Sequence, residues 1–289
     1  MHRRTFIKSS LFFSTLAALR GIPCFGKAGP YRERNIFTDP PAIEPIMGAL
    51  QSFHPLESGS LKAGEWRLNY DLIRWHEIGD TGVPLNIKDG RLQVHRTGNA
   101  DTGVYHIGRQ MSLPTWQFKG RGRVQECFLE AKIQTFGENE SAHEWRCTTF
   151  NNEPGEDTPA QPNSCGTIEG TYDGQKVRLS TEKVLLSERQ LTGTLLSTWL
   201  IPELLLRNSL SRSTPLNFTL LEDGLNLRRD QQLAYDGAVG IETADGILHC
   251  DIWLQTGAGI LPIHWIVDSH GCPQIMTHSA LNLMLSDVG

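Results

Sequence analysis

Apolar and polar residues alternate along most of the chain after residue 62. In EWRLNYDLIRW, Trp66, Leu68, Tyr70, Leu72 and Arg74 fall on one face of an extended segment. GRLQVH and TGVYHIGRQM repeat the pattern and are separated by the turn-like TGNAD. RVQECFLEAKIQTF puts Cys127, Leu129, Ala131 and Ile133 on one side, with Glu126, Glu130 and Lys132 on the other. Period two with one polar face predicts half-solvated antiparallel strands. GTIEGTYDGQKVRLSTEKVLLSE continues the series, and its Tyr-Asp-Gly-Gln predicts a tight hairpin turn. Alternation returns in PLNFTLL, GAVGIET and GILHCDIWLQT, and LPIHWIVDSHGCPQIMTHSALNLML reads as two strands around Ser-His-Gly.

The pattern breaks at LTGTLLSTWLIPELLLRN. There, Leu196, Trp199, Leu200 and Leu204 fall at helical spacing, which predicts a helix near 194–207 that Pro202 kinks or restarts. Apolar residues occupy most of its circumference, so it is expected to be buried all round. A sheet with one wet face must cover the other. The predicted fold is therefore mainly β, a single curved antiparallel sheet (a half-barrel) wrapped around a central apolar helix. A β-sandwich carrying the helix as an insertion is the alternative. In the half-barrel, Leu129, Trp145, Ile252 and Trp265 point inward toward Leu196, Trp199, Leu200 and Leu204. These eight residues are the candidate lining of an apolar ligand pocket, unless they form a filled core.

The first residues carry an address. Arg3, Arg4, Phe6 and Lys8 precede the apolar run LFFSTLAAL, which ends at Arg20. Arg-Arg-x-Phe-Ile-Lys resembles the twin-arginine export signal, and the run is too short to span a bilayer as a helix. Residues 1–28 are read as that signal, 29–62 as an extended, Pro-rich leader or linker, and 63–289 as the β domain. The implied partner is the twin-arginine translocase, the implied location is the bacterial periplasm or envelope, and no membrane span is expected after signal removal. Twin-arginine export often serves cofactor proteins, yet no cofactor site is evident.

Charge narrows the choices. Residues 1–28 hold five bases and no acid, so their removal takes the formal charge from −5 to −10. An acidic chain is poorly suited to gripping phosphate backbones by bulk charge, which argues against nucleic acid. Neither HExxH, CxxC, GxSxG, a Walker loop nor a Rossmann fingerprint occurs, so no metal ligand or catalytic residue is assigned. His264 and His270 flank Asp268, but Asp-Ser-His-Gly is ordinary turn chemistry. Among Cys127, Cys147, Cys165, Cys250 and Cys272, a hairpin near Gly137 would pair Cys127 with Cys147. Alternatively, Cys147 and Cys165 close a polar loop, or all are buried thiols.

The C-terminal third carries a resemblance. The order of EDG, YDGAVGIETADGILHCDIWLQ and PIHWIVDSHGCPQIM resembles a bacterial periplasmic family of unknown function that ends in a Trp-Val-Asp-x-x-Gly hairpin. The matching positions are Asp223, Gly224, Asp245, Gly246, Trp265, Val267, Asp268 and Gly271. That family is similar in turn to the LolA/LolB-like lipoprotein-localisation half-barrels, in which a curved sheet wraps a helical plug and holds acyl chains. The resemblance implies an envelope protein that binds a lipid-like ligand without catalysis. Seven Trp and the loop carboxylates leave an exported hydrolase of polysaccharide or ester as the rival reading. A structural envelope protein with a filled core is the third.

Overall fold

The computed structural model describes residues 33–35, 46–59, 61–78, 84–99, 101–114, 124–152, 163–182, 184–278 and 281–289. The signal residues Arg3, Arg4, Phe6 and Lys8, the acidic loop at 153–162 and the side chain of Cys165 lie outside the described residues.

Period-two segments form strands throughout. The first is β1 (Glu33–Asn35), followed by β2 (Trp66–Ile78), β3 (Pro84–Gly98), β4 (Gly103–Pro114), β5 (Val124–Phe136) and β6 (Ser141–Asn152). Next come β7 (Asn163–Tyr172), β8 (Lys176–Thr181), β9 (Val184–Gln190), β10 (Leu195–Ser197) and β11 (Leu216–Glu222). The chain finishes with β12 (Asn226–Thr243), β13 (Gly246–Gly257), β14 (Ile263–Val267), β15 (Pro273–His278) and β16 (Leu281–Val288). Fifteen of them form one sheet running from β10 through β16 and β2 to β9, with β1 added alongside β12. Pairing is antiparallel except for β10 on β11 and β1 on β12. The sheet curls, because strands far apart in its order touch. The Leu195 amide on β10 donates to Ser141 Oγ on β6 at 3.1 Å, and Trp145 Nε1 donates to the Gly224 carbonyl at 2.9 Å. None of the described helices is long and apolar enough to cross a membrane.

Curling creates two apolar clusters. The larger lies inside and takes residues such as Leu68, Tyr105, Ile133, Leu179, Leu221 and Trp265 from around the sheet. The smaller lies on the other face, where Ile46, Leu50 and Phe53 cover Ile73, Ile241, Ile252 and Ile275. Ile252 thus corrects the expectation that it points inward. It alternates with the inward Trp253, and the preceding chain segment covers this patch of the outer face, so both residues are apolar and buried.

The expected long helix is also corrected. Leu195–Ser197 is strand, Thr198–Leu200 is a 3-10 turn, and only Ile201–Leu206 is α-helix. Pairing with Thr219–Leu221 satisfies the first segment as strand, and Pro202 in the helix's first turn is compatible with a start there. Nor is this helix apolar all round, because Glu203 is buried in it. Similarly, the C-terminal stretch makes three strands rather than two.

The turn Asp268–Gly271 locks the helix end to the sheet. Asp268 accepts the amides of His270 and Cys272 at 2.9 and 3.0 Å. Gly271 has φ +86°, and a Cβ there would lie 2.5 Å from the Leu205 carbonyl oxygen. Gly271→Ala is expected to cost at least the roughly 1–3 kcal/mol of left-handed strain. Gly174→Ala, with φ +93° but open space around it, should cost less. Urea unfolding of the two variants checks the difference.

Candidate functional site

Inside the curled sheet a partly open cavity of about 190 Å³ separates the 3-10 turn from the strands. Trp199 and Pro202 form one wall. Leu72 on β2, with Leu92 and Val94 on β3, forms another, all at inward positions of alternating strands. Ile263 and Trp265 on β14, Met276 on β15 and Leu283 on β16 close the third side. The parallel β10–β11 pair brings Trp199 here, since β10 ends at Ser197 and the chain turns at once.

The rim is polar. Arg109 follows Tyr105 and Ile107 on the inward side of β4 and holds Asp223 through two hydrogen bonds, each 3.1 Å. Their side chains are 20% and 44% exposed, so the pair marks where the cavity meets solvent. Asp223 has φ +48° in the β11–β12 turn, and the adjacent Gly224 carbonyl is held by the Trp145 indole. Glu222 pairs with Arg228 at 2.7 Å. Burial pushes the His278 imidazole below its ordinary range, against an opposing pull from Glu222, so His278 stands neutral at the rim at pH 7. A fork-shaped guanidinium beside a carboxylate, above an apolar space, can orient a molecule with one polar end.

Of the eight residues expected to line a pocket, Trp199 and Trp265 do so. Leu196, Leu200 and Leu204 are fully buried, and Leu129 and Trp145 join the same interior cluster away from the cavity wall. Ile252 lies in the outer cluster. Sequence reasoning missed Arg109, Asp223 and His278. A signal existed for Arg109, a charge at an inward position of an alternating strand. Asp223 comes from 114 residues away and stood out only as a turn position of the family resemblance, with no sign of its partner.

Other centres prove structural. Asp268 also accepts Ser58 Oγ and, at 2.8 Å, Gln274 Nε2, so its carboxylate is fully engaged in the turn. The β5–β6 register sets Cys127 opposite Asn151 and Cys147 opposite Ala131, which overturns the expected cross-strand pairing of the two cysteines. The hairpin turns two residues later than expected, through Gly137–Glu140. Cys147 and Cys272 are buried thiols pushed up to about 11 and about 12, chiefly by burial and then by Asp223 and Asp268 respectively. Such thiols pack as small hydrophobes. No group of three potential metal ligands occurs among the described residues.

No protein-family model and no curated protein matches the sequence. A solved structure does match in fold, that of a β-barrel-like protein of the domain of unknown function DUF1849 from Brucella abortus. The TM-score is 0.51 at 11% identity, over 80% of this chain and 99% of that one. At this identity the likeness shows the fold, which this chain shares with a bacterial family of unknown function.

Proposed function

We propose that the protein binds a small amphiphile in the cell envelope without transforming it, with the apolar end between Trp199 and Trp265 and the polar end at Arg109–Asp223. The observation that carries this reading is the apolar cavity left among the buried side chains of the interior. Interiors are normally packed to crystal density, with few voids larger than a water molecule. At about 190 Å³ the space is smaller than the roughly 300 Å³ typical of ligand pockets, but larger than the ~150 Å³ engineered cavity that binds benzene. It therefore takes one short apolar segment, and the rest of the ligand extends past the rim. The export-like signal and the resemblance to LolA/LolB-like half-barrels, which hold acyl chains, support both the compartment and the ligand class.

The test is titration with a fluorescent fatty-acid probe. The wild type should bind it, and Val94→Phe, which puts a ring into the cavity, should weaken binding at least tenfold while keeping the circular dichroism spectrum. Failure of the wild type to bind, or equal binding by Val94→Phe, would overturn the reading. Turnover of an ester or glycan panel would favour the hydrolase instead.

A further inference from the structure

On the outer face of the sheet, away from the cavity, one register row crosses five adjacent strands. Arg67 on β2 stands opposite His95 on β3, and His95 opposite His106 on β4. His106 stands opposite Lys132 on β5, which in turn faces Arg146 on β6. All five are exposed or half-buried. Four strand spacings make the row roughly 19 Å long. The two imidazole rings lie 6.3 Å apart between centroids.

Chance and stability both disfavour this row. Acidic residues outnumber Lys and Arg 32 to 27, yet five consecutive cross-strand positions are basic or imidazole. Lys132 and Arg146 are like charges directly opposite one another, an arrangement that destabilises a sheet, and protonated imidazoles would extend it. Among the described residues, ion-pair contacts to the row are made at its ends, Arg67 with Asp287 and Arg146 with Glu169, each at 3.9 Å. Among the described residues no carboxylate reaches salt-bridge distance of His95, His106 or Lys132. The flanking positions beside the imidazoles are uncharged, namely Gln93, Gly108, Thr97 and Val104. A Cβ at Gly108 would meet nothing within 4 Å, so open space lies beside His106.

We propose that this row is a binding track for a linear acidic polysaccharide, laid across the strands so that the carboxylates on its protein-facing side fall among Arg67, His95, His106, Lys132 and Arg146. The row is one residue wide. A flat anionic membrane would also press on Glu130 and Glu144, which flank its Lys132–Arg146 end, whereas a single chain follows the bases alone. A uronic-acid chain offers one carboxylate per ring, and in a two-fold chain alternate carboxylates face the same side, a repeat of about two strand spacings.

The track responds to pH. The groups facing His106 are His95 and Lys132 on the neighbouring strands, with Glu130 across from Gly108. Partial burial, then Lys132, then His95, hold the His106 imidazole below its ordinary range. In the free protein its protonation is therefore resisted as pH falls below about 6.5. A bound carboxylate between the bases relieves that resistance, so binding takes up protons and tightens as pH falls.

Isothermal titration with an oligogalacturonate at low salt tests the track. The wild type should bind about tenfold more tightly at pH 5.5 than at pH 7.5, with affinity falling as salt rises. The double variant His106→Gln, Lys132→Gln should bind about tenfold or more weakly at pH 5.5 and show a shallower salt dependence. His106→Lys should retain binding and lose much of the pH dependence. Cavity-probe binding should stay unchanged in each variant, which separates this site from the cavity. Absence of binding, undiminished binding by the double variant, or pH-independent wild-type binding would overturn the proposal. So would tighter binding of inorganic polyphosphate, or of vesicles of anionic phospholipid, than of the uronate.

Discussion

Arg96→Met is expected to lower the folding free energy by about 3–5 kcal/mol, the range for removing one partner from a buried ion pair. Arg96 is wholly buried and continues the inward series Leu92, Val94 on β3. Its guanidinium reaches Glu140 at 2.7 Å, the Asn99 carbonyl at 2.8 Å and the Tyr105 hydroxyl at 3.1 Å, and it also donates to the Gly64 carbonyl. Glu140 accepts in addition from Tyr105 at 2.8 Å, from Thr135 at 2.5 Å and from Arg207. Glu203, in the short helix, accepts from the Trp66 indole at 2.5 Å and from Arg207 Nε at 2.8 Å. Two guanidinium groups thus balance two carboxylates, and removing one leaves a buried carboxylate in excess.

Desolvation offsets most of the pairing energy of a buried charge set, so such a set gives little net stability. This one joins β3, β4, the β5–β6 turn and the helix, whose Pro202 forms part of the cavity wall. The companion variant Arg96→Met, Glu140→Leu is charge-balanced again and should recover part of the loss. Urea unfolding followed by Trp fluorescence measures both. A loss under 1 kcal/mol for the single variant would mean that the network is wet and that it does not hold the helix.

What the sequence disclosed depended on whether a strand had one wet face. β5 does, as does β2 as far as Asp71, and their inward residues were readable from alternation. β15 and β16 do not. Met276 and Leu283 face the interior while Ile275 and Met284 face the covered outer patch, so alternation vanishes and three strands read as two. The same double burial misassigned Ile252. Leu195–Ser197 is buried on every side, and an apolar run of that kind fits a helical period by accident. The site was half legible. Its Trp residues stood out by type, whereas the Arg109–Asp223 rim depends on a tertiary contact that no local pattern encodes.

Trp199→Ala is expected to destabilise by about 2–3 kcal/mol, less than the roughly 3–5 kcal/mol for deleting an indole from a filled core. One side of the Trp199 ring already faces the cavity, so it has fewer packing partners to lose. Trp66→Ala supplies the internal standard. Trp66 is 1% exposed, stacks edge-on against Tyr105 with centroids 6.0 Å apart, and donates its indole proton to Glu203. Its loss should reach or exceed the top of the core range, because Glu203 also loses a hydrogen bond. Binding should separate the two variants as well. Trp199→Ala enlarges the cavity and removes an aromatic wall, so it should weaken a slender fatty-acid probe about tenfold while admitting a bulkier one. Trp66→Ala, if folded, should leave the probe's affinity near wild type. Unfolding free energies and probe titrations on the same samples decide the matter. Equal destabilisation by the two substitutions, with no probe bound by the wild type, would make the space around Trp199 ordinary packing and remove the ground for ligand binding.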